Sequence, residues 1–273
     1  MERTFGGVEP VMKKSKSMAS AVQFASLLGG RSVDNAYQHG LSSLRAISMA
    51  VLRREDLSPS TCLACAPVGL RSFSRLHVSK AVPALPGQID AFVSHSWHDD
   101  PNAKWFALQG WRSAFKLEHK REPLIWFDRQ CIDQSQIGEG IAQIPFYLAS
   151  CRQLLLLVGD TYYDRLWCLI EVYVSLEMGR ADVKLISLGG SAAADVSSLD
   201  VRRAECSVAE DTQMLRGVFG DLDVFSICLR ELTRTSTMDA TSPSPSSQDR
   251  FQDSFGMYCP NPNLESAVKV EEE

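Results

Sequence analysis

The chain has 273 residues, 45% hydrophobic and 22% charged, which is enough to bury the core of one ordinary domain with extensions and excludes a fibrous or wholly disordered protein. Its longest apolar runs, Leu154 to Val158 and Leu166 to Ile170, are a few residues each, against the ~18 that a membrane-spanning helix requires. The net charge of -5 is unevenly spread: residues 1–80 carry 11 Lys/Arg against 5 Asp/Glu, and residues 81–273 carry 17 against 28. The acidic larger part argues against a nucleic-acid footprint, and eight cysteines without regular spacing point to a reducing, cytoplasmic setting rather than a disulfide framework.

Residues 1–80 are rich in Ser, Ala and Arg, with a basic patch at Lys13, Lys14 and Lys16. Helical spacing runs around Phe24, Leu27 and Leu28, and again around Leu41, Leu44, Ile47 and Val51. The segment reads as a low-complexity, partly helical N-terminal extension. The patch followed by Met18 to Leu28 has the order of a targeting peptide, but Gln23 and the serines dilute its apolar region, and Glu2, Glu9 and Asp34 break the acid-poor transit pattern. Cys62 and Cys65 have the spacing of half a zinc site. No second pair follows, so they read as two free thiols in a loop.

From Pro83 the texture changes. A Pro86–Gly87 turn introduces Ile89 to Ser94, a short apolar run that reads as a buried strand, followed by a polar loop from His95 to Asn102. Trp105, Leu108, Trp111 and Phe115 then share a helical face. The unit repeats with a second strand at Leu124 to Phe127, a loop from Asp128 to Gly140, a helical piece from Ile141 to Ala149 and a third strand at Leu154 to Val158. A helix from about Arg165 to Met178 and a strand from Val183 to Leu188 continue it. This alternation predicts an α/β fold over residues 84–235, a flavodoxin-like open parallel sheet with helices on both faces. Gly189 to Ser198 reads as a loop, Ser207 with Glu210 as a capping box, and Phe225, Cys228, Leu229 and Leu232 as a last helical stripe. Residues 236–273 read as a disordered acidic tail.

In open parallel sheets, ligands sit outside the carboxyl ends of the strands, which selects Ser94 to Trp97, Asp128 to Asp133, and Gly159 to Arg165. Glu171 is the only charged residue between Arg165 and Glu177 and lies four positions after Trp167, beside Ile170 and Val174. A carboxylate on an apolar stripe is costly unless it is partnered or sits at the mouth of a cleft. Glu171 is therefore the first functional candidate, with a structural hydrogen bond to a neighbouring loop as the alternative. His95 and His98 lie three apart near Asp99 and Asp100, but no third histidine is near in sequence, so this reads as a polar loop rather than a metal site. Asp128 and Asp133 are a carboxylate pair or turn residues. Cys131, Cys151 and Cys168 read as small core residues. No phosphate-binding G-x-x-x-x-G-K-[ST] loop is present, which argues against NTP hydrolysis.

Three strings in order, DAFVSHSW (Asp90 to Trp97), IWFDRQCIDQ with GEGI (Ile125 to Gln134, Gly138 to Ile141) and YYDRLWCLIE (Tyr162 to Glu171), resemble a Toll/interleukin-1 receptor (TIR) domain of the plant-like and protist-like branches. The resemblance covers residues 86–190 well and 191–235 loosely. It implies cleavage of NAD between nicotinamide and ribose, with Glu171 catalytic, Trp167 as an aromatic wall, and Ser94, His95, Ser96 and Asp128 contacting the substrate. NAD is then a substrate, no metal or other cofactor is needed, and the site is completed by self-association or by other TIR domains. Two features depart from the enzymatic pattern: Arg165 and Leu166 precede Trp167 where plant members carry serines, and the Arg129 to Gly140 loop carries CIDQ. The alternative is a non-catalytic TIR-like protein-protein interaction module in signalling or defence.

Overall fold

The computed structural model describes residues 9–58, 79–133, 137–180, 182–189, 199–206 and 209–239. Its centre is β3 (Ile89–His95), seven residues that are all buried. β3 pairs in parallel with β4 (Leu124–Trp126) on one side and β5 (Cys151–Val158) on the other, and β5 pairs in parallel with β6 (Val183–Ser187). The order β4-β3-β5-β6 places the first of these four strands inside the sheet, so the winding reverses at β3, an order compatible with a flavodoxin-like sheet.

The sheet as a whole is mixed rather than parallel. β1 (Arg45–Ser48) lies antiparallel to β4, and β2 (Val82–Pro83) lies antiparallel to β1, giving six strands in the order β2-β1-β4-β3-β5-β6. This corrects the helical reading of Leu41 to Val51. α2 (Val33–Ser43) ends at Leu44, whose backbone is extended, and Ala46 and Ile47 are fully buried in the strand that follows. Four apolar positions spaced across a helix end and a short strand imitate a single helical stripe.

Register separates the two faces. Phe92 pairs with Trp126 and Leu154 and so shares their face; the Phe92 and Trp126 rings stack at 4.3 Å, and Trp126 stacks on Tyr147 of α6 (Ile144–Ser150) at 5.3 Å. α1 (Glu9–Gly29) packs on α6 and on α7 (Leu166–Glu177) in the same layer, where Phe24, fully buried, meets Tyr173 edge-on. Gln153 belongs to the opposite face, and there the Trp111 indole of α3 (Pro101–His119) donates to it at 3.3 Å. Helices therefore cover both faces. α3 starts where Asp100 accepts from the amides of Asn102 and Ala103 and Pro101 occupies the first turn, and it stops at Lys120, whose φ is 57°. Its Trp105, Leu108, Trp111 and Phe115 pack into the core.

The N-terminal segment read as an extension thus supplies a helical layer and an added sheet edge to the same core. Between β4 and β5 the expected loop contains α4 (Asp128–Cys131) and α5 (Ile137–Ala142), and α6 begins three residues later than expected, with Pro145 in its first turn. α8 (Ala209–Arg216) and α9 (Leu222–Asp239) follow β6; Phe225, Leu229 and Leu232 are buried as the last stripe requires. Asp90, at the start of β3, is held by both terminal nitrogens of Arg121 at 2.6 Å and by the Leu124 amide at 2.9 Å. Cys62, Cys65, residues 190–198, Ser207 and residues 240–273 lie outside the described residues. Among those described, no helix is long and apolar enough to cross a membrane.

Because Phe24 is fully buried against Tyr173 of α7, Phe24→Ala is expected to destabilise the full chain by about 3–5 kcal/mol, measured by denaturant unfolding. A change of only a few tenths would mean that α1 does not belong to the core.

Candidate functional site

β3 ends in Ser94 and His95, and Ser96 follows it; all three are buried. Because side chains alternate along a strand, Ser94 and His95 leave on opposite faces. Ser94 shares the face of Phe92, where α7 lies. Its hydroxyl shares a hydrogen bond with the Tyr162 hydroxyl at 2.6 Å, and Tyr162 is fully buried in the one-turn helix Tyr162–Asp164 ahead of α7. Glu171, 9% exposed, belongs to the same group. Burial pushes its carboxyl well above the ordinary value; the Ser94 hydroxyl pulls the other way as a hydrogen-bond partner, and the Asp128 charge adds to the rise.

His95 leaves on the other face and stacks on Phe127 at 4.8 Å. Each ring nitrogen faces an oxygen: Nδ1 lies 3.3 Å from the Ser96 carbonyl and Nε2 lies 3.2 Å from Asp128 Oδ1. The Trp97 indole donates to Asp128 Oδ2 at 2.6 Å, and the Arg129 amide donates to Oδ1 at 2.7 Å. Burial pushes the Asp128 carboxyl up, but His95, Trp97 and the Arg129 amide together outweigh it and hold the group below its usual range. Asp128 is therefore an ionised acceptor at the end of β4, whereas Glu171 tends to keep its proton. Two carboxyls within electrostatic reach have environments that push them apart, which is the pattern of differentiated acid–base roles.

A third group ties the loop after β3 to the loop after β5. Ser96 and Thr161 hydroxyls share a hydrogen bond at 2.7 Å, and Thr161 donates its amide and its hydroxyl to Asp99 Oδ1, both at 2.8 Å. Gly159 is required here, since a Cβ would fall 2.4 Å from Asp99 Cγ. Lys104, fully buried on α3, donates to the Ser96 carbonyl at 2.9 Å; burial pushes its ammonium down to about 8, with Asp99 and Asp128 opposing the shift. Outside these contacts a cavity of about 380 Å³ is lined by His98, Asp99, Asp100, Gly159, Thr161 and Gly189 among others. It lies at the carboxyl ends of β3, β5 and β6, the switch point of the winding. Glu171 is not among its lining residues.

The structure therefore brings Ser94 to Glu171 and His95 to Asp128, with the central strand between the two groups, and Ser96 joins the Thr161 group. Trp167 is half-buried one turn before Glu171 and packs against the core. Asp133 is exposed. His98 lines the cavity apart from His95. Among the described residues no group of three or more His, Cys, Asp or Glu side chains is placed to hold a metal ion. Cys131, Cys151 and Cys168 are free and buried. Thr161 and Tyr162 fall in the Gly159 to Arg165 segment selected from the sequence, whereas Lys104 was missed. Lys104 had a signal: it precedes Leu108 and Trp111 at helical spacing and so falls on the apolar stripe of α3. Comparison of the chain with models of known protein families, with curated proteins and with solved structures finds no match.

The raised Glu171 carboxyl sets the sign of a pH effect. The folded protein keeps a proton that the unfolded chain releases above about 4.5, so the stabilisation is full below that value and is lost as pH rises through the raised folded value. Glu171→Gln removes the loss. Between about pH 5 and about pH 8, the difference in Tm is expected to move in favour of the variant, read by thermal scans. A difference that stays constant with pH would show that Glu171 ionises as freely as in the unfolded chain.

Proposed function

We propose that the chain is a TIR-like protein of signalling or defence, acting in the cytoplasm, whose strand-end site cleaves NAD to nicotinamide and ADP-ribose products with Glu171 as the catalytic carboxyl. The observation that carries this reading is the enclosure of Glu171 beside the Ser94 hydroxyl at the carboxyl end of the central strand, the position where open sheets bind ligands. The three TIR-like strings support it, since they contribute Ser94, Asp128 and Glu171 to this one end of the sheet.

Departure of nicotinamide leaves an oxocarbenium-like ribosyl cation, which a carboxylate stabilises by charge and by hydrogen bonds to ribose hydroxyls. The nicotinamide ring of NAD is itself cationic. Its arrival beside Glu171 favours the ionised form of a carboxyl that burial otherwise keeps protonated. Nicotinamide then leaves with the bonding electron pair, water adds to the ribose carbon, and the proton that water loses passes to solvent. Capture of the same cation by a second ring edge of the substrate gives a cyclic product instead. Trp167 stands one turn from Glu171 as the aromatic wall, and the Ser94 hydroxyl, on the same side of the central strand as Glu171, offers a hydrogen bond to the sugar.

A second reading, the non-catalytic interaction module, is favoured by α3, where Phe106 and Leu117 are 69% and 74% exposed. Eleven residues is about three turns, so both stand on one side of the helix, where a second copy or another TIR domain would cover them.

Both readings are separated by incubating the full chain with NAD over a wide range of protein concentration and quantifying nicotinamide. Turnover that rises faster than linearly with protein, and falls by about a hundred-fold or more in Glu171→Gln, is the expected result. Assembled protein that releases no nicotinamide, or a variant as active as the parent, removes the hydrolase and leaves the interaction module.

A further inference from the structure

The turn that carries Asp128 is gripped from outside the parallel strands. Behind Asp128, Arg129 and Gln130 are 5% and 1% exposed. Gln130 accepts the Lys80 amide on Oε1 at 2.9 Å and the Ser79 hydroxyl on its backbone carbonyl at 2.6 Å, and it donates its side-chain amide to Asp56 Oδ1 at 3.3 Å. The other Asp56 oxygen accepts from Lys80 Nζ at 2.6 Å and from the Arg53 amide at 2.7 Å. Asp56 is itself buried, in the one-turn helix Arg54–Leu57, which packs on α3. Arg129 donates to the Ser58 carbonyl and lies 5.8 Å from the centre of the Trp97 ring. Farther along, Glu139 of α5 is paired with Arg31.

These contacts converge on a rigid element. α4 is a single turn closed by bonds from the Cys131 amide to the Phe127 carbonyl and from the Ile132 amide to the Asp128 carbonyl. Gln130 cannot shift without carrying Asp128, and Asp128 in turn orients the His95 ring and the Trp97 indole. A buried carboxylate that satisfies an ammonium, a backbone amide and a side-chain amide at once is worth more as a fixed point than an exposed ion pair, because truncating it strands all three partners.

We propose that Asp56 is a positioning residue for the Asp128–His95–Trp97 unit: acting through Gln130 and Lys80, it sets the place of α4, so that the N-terminal segment is a built-in restraint on the turn after β4. The inference goes beyond NAD cleavage and stands whether or not Glu171 is catalytic, because it concerns the opposite face of β3 and is read without turnover.

The test uses the ¹⁵N-labelled full chain and its five tryptophan indole resonances, with the Trp97 signal assigned by its loss in Trp97→Phe. Asp128→Asn marks where that signal falls when the indole no longer donates to a carboxylate. Asp56→Asn keeps the shape of the side chain and removes the charge that holds Lys80; it is expected to move the Trp97 resonance toward the Asp128→Asn position while the other four stay in place. Lys80→Met breaks the same ion pair from its other end and is expected to move the signal in the same direction. Should Asp56→Asn fail to fold, Lys80→Met decides by the same resonance. If the folded variants melt at lower temperature with the Trp97 signal at its parental position, Asp56 is a stabilising residue only and the proposal is overturned.

Discussion

A central strand buried on both faces that ends in two polar residues and is followed by a third has to satisfy each of them out of reach of bulk water, and the arrangement of the site follows from that requirement. An unpaired buried polar group costs on the order of 1–3 kcal/mol. Ser94, His95 and Ser96 each meet the demand in a different direction: Ser94 toward Tyr162 and α7, His95 toward Asp128 at the end of β4, and Ser96 toward Thr161 in the loop after β5. One strand end therefore ties the turn after β4 to the segment between β5 and α7, two stretches that are distant in sequence. Lys104 closes the arrangement from below by holding the Ser96 carbonyl, and the cost of burying its ammonium shows in the depressed ionisation.

The alternation of the strand also divides the chemistry. On the α7 face a carboxyl is enclosed beside a hydroxyl and burial pushes it toward its protonated form; on the α3 face a carboxyl is surrounded by an imidazole, an indole and a backbone amide, which hold it toward its ionised form. The two differ in neighbours more than in depth, since both feel desolvation first. Such a pair offers one group that waits for a positive charge and one that is already ionised. That asymmetry is a stronger reason to place chemistry here than any single motif.

The N-terminal segment enters the same logic through the sheet edge. Without β1, the outer side of β4 would present unpaired amides and carbonyls, and such edges invite pairing with other chains. β1 covers it in antiparallel register, and the residues that follow β1 hold α4. The strand that protects the edge and the residues that fix the site turn thus belong to one stretch of chain, so stability of the edge and geometry of the Asp128 group are linked.

The βα alternation from Ile89 onward, the amphipathic face of α3 and the isolated Glu171 on an apolar helix were legible in the sequence, because each is a local pattern with a period that burial imposes. Glu171 stood out for the same reason that its carboxyl is perturbed: an apolar stripe leaves a charge few partners. The strand at Arg45–Ser48 was not legible, since two buried residues fit a helical or an extended period equally well and only an unfilled edge at β4 chooses between them. Neither was the split of Ser94 from His95, which depends on strand register, nor the reach of Asp56 to Gln130 across 74 positions, which no local pattern encodes. Sequence alone determined which segments must be buried and which polar groups would be costly there; tertiary structure decided which of those groups meet, because partners for a buried charge are chosen by the packing of distant elements.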